Sequence, residues 1–328
     1  MRVVTVIAGG TGSVKLVRGL AKIADAAGGD LRVIVNVGDN IWLHGLYVCP
    51  DVDTIVYGLA GMLDKKRGWG VAGDTFAFLD QLKKLDRSRS WFGLGDRDLA
   101  THVIRTTMMK DDGKSLSEVT EFFADRLGIR AKIIPATDDE VATMIRTGTS
   151  PAAEKKEGED GEIHLQEFWV KRRGMPRVAG VRYAGAETAR ENPAAVEAIR
   201  ESDTIIIAPG NPVSSIGPTL AIAGIRAELA STRDRVVAVS PIIGARALSG
   251  PAAKYMKAVG VTSSPEGVAS FYREVAGALV ISPSDYHNFA GKIERKHNIK
   301  VYKTDITMAD RRDEVRLARH LLKLGKKS

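Results

Sequence analysis

The chain has 328 residues, 44% of them hydrophobic and 6% aromatic, with 48 Lys+Arg against 40 Asp+Glu for a net charge of +8. That length suits one large domain or two ordinary ones around a substantial core, and no run approaches the ~20 apolar residues that span a bilayer. The first residues enter a strand pattern at once, so a cytoplasmic protein with no membrane anchor is expected. The single Cys49 excludes an internal disulfide and lacks metal-ligand spacing, which leaves it the role of a small buried hydrophobe. Much of the basic excess falls in Arg311, Arg312, Arg316, Arg319, Lys323, Lys326 and Lys327, as the solvated face and tail of a last helix. Without interleaved aromatics it does not mark a nucleic-acid surface.

Residues 3–8 form an apolar, β-branched run that reads as a strand, and the helical pattern of residues 14–27 follows it. Between them, Gly9, Gly10, Thr11 and Gly12 let backbone N–H groups and a helix N-terminus face a phosphate, to which Lys15 adds a point charge. The spacing is neither a Walker A loop nor a full G-x-G-x-x-G, and a tight turn without ligand explains it too. Gly28 and Gly29 close the helix, and residues 31–35 make the next strand of a βαβ unit.

The stretch 36–54 then packs three aspartates, two asparagines and a histidine into nineteen residues at a strand's carboxyl end. Ordinary turn chemistry accounts for Gly38-Asp39-Asn40, and Asp53 before Thr54 reads as a helix N-cap. Asp39, Asp51 and Asp53 together are harder to explain that way, because like charges held close repel unless a cation or donor groups offset them. His44, inside this stretch, is placed to orient a ligand; His102, among apolar neighbours, reads as a core residue.

Helical patterns cover residues 54–65, 75–85, 98–109 and 115–127, the last with capping-box spacing from Ser115 to Glu118. Extended runs at 129–135, 143–147 and 163–170 surround a polar turn from Gly148 to Gly161, whose part from Pro151 onward is expected to be mobile; they suggest a hairpin. Strands resume at 204–208, 236–239, 278–281 and 300–302. The chain therefore reads as α/β, with a Rossmann-like, doubly wound and mostly parallel sheet. Residues 1–130 and 194–328 form a nucleotide-binding core, and residues 131–193 a smaller antiparallel α+β insertion with a hairpin.

Four polar, Gly-rich loops, after Ala8, Val35, Ala208 and Val239, then converge on one sheet edge. Asn211, Ser214 and Ser215 offer donors and acceptors, Gly217 opens a helix, and Ser240 stands in the fourth loop; a plain capped turn fits the Asn211 segment equally well. No nucleophile elbow or Cys-His pair stands out. The chemistry suggested is electrostatic: a divalent cation on carboxylates, opposite loops that hold phosphate, and transfer of a phosphorus-linked group.

Gly9-Gly10-Thr11-Gly12 with Lys15, Ile41-Trp42 with Gly45, Pro50-Asp51-Val52-Asp53-Thr54, Gly73-Asp74-Thr75-Phe76, Leu94-Gly95-Asp96-Arg97-Asp98, Asn211-Pro212 through Gly217-Pro218, and Ser240-Pro241-Ile242-Ile243-Gly244 occur in one order. In that order, from Val3 to about Tyr272, the chain resembles the 2-phospho-L-lactate transferases of coenzyme F420 biosynthesis. The resemblance implies transfer of a phospholactyl or phosphoenolpyruvyl group from a guanosine diphosphate-linked donor to the deazaflavin Fo, with release of GMP, a need for Mg2+ and a homodimer. It makes Asp53 the aspartate that contacts Fo near the metal, and puts the Asn211 and Ser240 loops on the nucleotide side. Two positions depart from the family pattern. Asn40 is usually acidic, and Gly93 stands where a basic residue often touches Fo, with Arg89 or Arg97 as candidate replacements. The rival class is a nucleotide-binding regulator of the related gluconeogenesis-factor type, whose acidic loop runs on through Gly-Gly-Ser-Ser.

Overall fold

The computed structural model describes residues 2–148, 161–248 and 250–325. Seven strands make one parallel sheet: β1 (Val3–Ala8), β2 (Asp30–Val35), β3 (Lys132–Pro135), β4 (Thr204–Ile207), β5 (Val236–Val239), β6 (Ala278–Ile281) and β7 (Lys300–Lys303). Their spatial order is β7-β6-β5-β4-β1-β2-β3. The winding direction reverses between β1 and β4, the point at which a doubly wound sheet opens a crevice beyond its carboxyl ends.

These strands are apolar at nearly every position because helices cover both faces. Val4, Val6 and Ala8 pack into one layer with Val17 and Ile55, while Ile7, Ile34 and Ile207 pack into the other with Ile199 and Leu220. Helix α1 (Gly10–Ala27) follows β1 and ends as expected at Gly28, whose φ of 63° is left-handed. The last helix, Arg311–Leu324, lies on α1, where buried Arg18 and Glu314 form an ion pair. Helix Leu116–Arg126 carries both bonds of the Ser115–Glu118 capping box.

Three expectations about elements change. Residues 132–135 pair with β2 in the main sheet, so the core reaches beyond residue 131. The smaller antiparallel sheet has Ala142–Thr147 at its centre, between Gly161–His164 and an unanticipated strand, Val178–Ala184, in which Gly180 and Arg182 weaken the apolar signal. The run expected to stay extended to Val170 instead leaves the sheet at His164 and forms a π-helical turn, Glu167–Lys171. The loop before Gly161 lies outside the described residues.

Helix α2 spans Pro50–Leu59, with Cys49 as N-cap and proline opening it, so Asp53 is not a cap. Asp51 and Asp53 instead sit in its first turn, where the positive end of the helix dipole favours carboxylates. Cys49 is fully buried, and burial pushes its thiol up to about 12, as suits a packing residue. Among the described residues, no helix is long and apolar enough to cross a membrane.

Candidate functional site

A cavity of about 690 Å³ opens at the carboxyl edge of the sheet, beyond the switch point, a size suited to a small-molecule ligand. Gly10, Thr11 and Gly12 line it after β1, Asp39, Asp51 and Asp53 after β2, and Asn211, Ser214 and Ser215 after β4. Gly93 lines it too. Gly10 has φ 71°, and a Cβ there would lie 2.7 Å from Ser215 Oγ, so glycine lets the first loop close onto the third.

Gly9, Lys15, Gly217 and Ser240 do not reach the cavity wall. Gly9 serves close packing, since a side chain would collide with the Ser215 carbonyl, and Gly217 does the same against the Tyr183 hydroxyl. Lys15 is exposed and donates to the Met308 carbonyl at 2.9 Å, away from the glycine turn. The buried Ser240 hydroxyl closes its own turn with Ile242 N–H and C=O. The segment after β5 lines the cavity farther on, through Pro251 and Tyr255 of helix α4 (Ala252–Ala258) and its lead-in. His44 lies exposed in a hairpin turn, edge-on to Phe78, and does not line the cavity.

One wall is built by α2 and the helix Asp96–Lys110. That helix sets Asp98, His102 and Arg105 at i, i+4 and i+7, on one face. Arg105, 1% exposed, grips both oxygens of Asp53: Nη1 donates to Oδ2 at 3.1 Å and Nη2 donates to Oδ1. His102 lies between two carboxylates, with Nδ1 3.6 Å from Asp53 Oδ2 and Nε2 3.4 Å from Asp98 Oδ1. Tyr57 donates its hydroxyl to Asp98 at 2.8 Å. Burial works against the Asp98 charge, but contacts from His102, Tyr57 and Arg105 outweigh it and hold its carboxyl below the usual range. Burial likewise opposes the Arg105 charge, yet the Asp53 carboxylate raises its pKa overall. His102 is thus buried as expected, but it lines the cavity.

The other two carboxylates form a pair. Asn36 Nδ2 donates to Asp51 Oδ2 at 2.8 Å and to Asp39 Oδ1 at 3.2 Å, and Gln166 donates to Asp39 Oδ2 at 3.2 Å. Burial pushes the Asp51 carboxyl up to about 6, against the donors Asn36 and Gly10 N–H. Asp39 is raised well above the usual range, by burial and then by the Asp51 charge. No group of three or more His, Cys, Asp or Glu is gathered as metal ligands among the described residues. Two raised carboxylates that share one donor fit a cation whose remaining ligands come from substrate and water. Asn40 is buried and its amide donates to the Tyr47 hydroxyl at 3.2 Å.

Aromatic and basic groups complete the lining. Trp69, Phe92, Trp169, Arg67 and Arg173 line the cavity, whereas Arg89 and Arg97 do not. Arg67 is tied to Asp64 and stacks over Trp69 and Phe76, each at 5.0 Å.

A family model for 2-phospho-L-lactate transferase CofD matches residues 4–321. The chain belongs to the 2-phospho-L-lactate transferase family. It is 40% identical over 324 residues to the 2-phospho-L-lactate transferase of Methanopyrus kandleri, covering 98% of this chain and 96% of that one. It is 44% identical over 272 residues to the phosphoenolpyruvate transferase of Streptomyces coelicolor, covering 83% and 82%. A crystal structure of a UPF0052-family protein from Bacillus halodurans superimposes with a TM-score of 0.61 at 14% identity, covering 98% of this chain and 100% of that one, and shows a shared fold. The family is one of enzymes, and the chain is a transferase.

Proposed function

We propose that this transferase moves a phospholactyl or phosphoenolpyruvyl group from a guanosine diphosphate-linked donor to the hydroxyl of the deazaflavin Fo and releases GMP, in coenzyme F420 biosynthesis. One observation carries the reading: Asp53 and Gly93, the positions that resemblance ties to Fo, line the same cavity as Asn211, Ser214 and Ser215 on the nucleotide side. The new bond joins the Fo oxygen to the phosphorus that bears the lactyl or enolpyruvyl group, the bond from that phosphorus to the GMP oxygen breaks, and the hydroxyl proton passes to Asp53 or to solvent.

Asp53 orients the acceptor hydroxyl. Arg105 takes one lone pair on each of its oxygens, and a carboxylate keeps capacity for a further donor. Held on both sides, Asp53 presents that oxygen in one geometry, and positioning of this kind supplies much of the catalysis in phosphorus-group transfer. Asp39 and Asp51 would hold Mg2+, which when bound offsets the charge of the diphosphate and of the departing GMP. Gly10, Thr11 and Gly12 bring the first turn of α1 to the phosphates.

The test is incubation of the protein with Fo and each donor, with and without Mg2+, followed by product mass. A product heavier than Fo by the phosphoacyl group, with one GMP released per product, is expected with at least one donor. Failure with both donors, while Fo still binds, would remove the transfer reaction from this chain.

A further inference from the structure

The cavity is rich in carboxylates and the proposed donor is itself an anion, so a basic side chain on the cavity wall would add to the offset that Mg2+ supplies when bound. Of the basic side chains that line the cavity, Arg67 is committed to Asp64 and to the Val71 carbonyl, and His102 sits between Asp53 and Asp98. Arg105 is committed to Asp53. Arg173 differs: among the described residues it lines the cavity with no hydrogen bond or ion pair.

Its backbone is fixed with unusual care for a residue whose side chain is exposed. Arg173 has φ 53°, a left-handed conformation that is rare for arginine and is kept only where neighbours enforce it. Here they do. Arg172 N–H donates to the Glu167 carbonyl and Gly174 N–H to the Phe168 carbonyl, both at 2.9 Å, which closes the turn after the π-helical segment. From the other side, Lys254 donates its ammonium to the Gly174 carbonyl. Lys254 belongs to α4, which packs on the Asn211–Ile216 segment, so the turn is anchored to the nucleotide side of the cavity.

We propose that Arg173 is a specificity-determining residue that binds an anionic group of the donor, its carboxylate or its diphosphate. The inference rests on the donor chemistry proposed above. A guanidinium presents two parallel N–H groups that match either anion, and Arg173 and Trp169 line the same cavity.

The experiment compares wild type, Arg173→Lys and Arg173→Gln in steady-state transfer, with KM for donor and for Fo measured separately, and in calorimetric titration with GDP. Arg173→Gln is expected to raise the donor KM roughly 10- to 100-fold, with Arg173→Lys between it and wild type and the KM for Fo unchanged. If the contact is to the diphosphate, GDP affinity falls in parallel; if it is to the carboxylate, GDP binds all variants alike while donor KM still rises. Equal donor KM and equal GDP affinity in all three proteins overturn the proposal and leave the transferase reading standing. Absence of both transfer and GDP binding in wild type overturns that reading and this inference with it.

Discussion

The two walls of the cavity are built on opposite terms. On the α2 side, Asp53, Arg105, Asp98 and Tyr57 are tied to one another, and only Arg105 Nε and His102 Nε2 lack a directed hydrogen bond. On the α4 side, among the described residues, the Asn211 amide nitrogen and the Tyr255 hydroxyl are buried without partners, and Arg173 has no hydrogen bond or ion pair. A buried donor left unpaired costs about 1–3 kcal/mol, so the second wall is less stable alone than filled. The first wall is held by its own ion pair and hydrogen bonds before any ligand arrives and can fix a geometry. The second offers unpaired donors to a ligand and can recognise an anion.

That contrast makes the largest effect fall on the paired wall. Arg105→Met removes the cation from the buried Asp53 carboxylate, and breaking such a pair from one side is expected to cost about 3–5 kcal/mol in urea unfolding. Arg105→Met with Asp53→Asn should recover part of that loss, because no uncompensated charge remains. A loss below about 1 kcal/mol for Arg105→Met would show that water reaches the pair and that the wall is not dry.

A second effect belongs to the carboxylates between the walls. The folded-state pKa of Asp51 is raised from 3.8 to about 6, so its contribution is fully present below pH 3.8 and is lost as pH rises through 6. The direction for Asp39 is the same. For Asp51, keeping the buried carboxyl protonated is worth roughly 3 kcal/mol at the acid end of that window. Asp51→Asn, which does not titrate, should therefore gain stability relative to wild type as pH rises from 4 to 7. With Mg2+ held by the two carboxylates, that trend should flatten. A stability difference that does not change with pH would mean that donors in the folded protein already offset both charges.

The third effect is on rate. Asp53→Asn keeps the size of the side chain but loses one acceptor of the Arg105 grip, and turnover should fall about 100-fold or more at saturating Mg2+. The folded protein should also lose stability, since Arg105 stays charged with only one oxygen opposite it. Near-normal turnover would assign Asp53 to holding Arg105 alone and move the acceptor contact to Asp39 or Asp51.

Most of the fold is legible in the sequence because its signals are local. The β-branched runs at 3–8, 31–35 and 204–208 find their places in the parallel sheet, and the loops that follow them meet at the switch point. What the sequence hides is long-range pairing. Asp53 reads as a helix cap because Thr54-Ile55-Val56 follows it, although Pro50 marks the real first turn. Arg105 lies 52 residues from Asp53, and nothing local joins them. A trace is present: Asp98, His102 and Arg105 fall on one helical face, a polar stripe that a purely apolar core face would not carry. Lys15 and Ser240 mislead in the opposite way, since chemistry that suits a phosphate serves as well to hold a backbone carbonyl or a turn.

The smallest effect tests the open wall directly. Tyr255 is 1% exposed, its hydroxyl lacks a partner among the described residues, and it lines the cavity. Burial, and then the charge of Asp39, raises its pKa, so it is a neutral donor at working pH. Tyr255→Phe removes that hydroxyl and leaves the ring tilted at 55° against Phe168, whose centroid is 5.9 Å away. On the paired wall such a truncation would destabilise the fold. Here the ligand-free protein should be unchanged or more stable by up to about 1 kcal/mol, because an unpaired buried group has been taken away. Donor affinity should fall roughly five- to tenfold, the worth of one neutral hydrogen bond of about 1 kcal/mol or slightly more. If Tyr255→Phe instead lowers the stability of the free protein by more than about 1 kcal/mol, the hydroxyl has a partner before the ligand binds. The Tyr255 hydroxyl would then be tied internally as the α2 side is, and recognition of the donor would rest on Asn211 and Arg173.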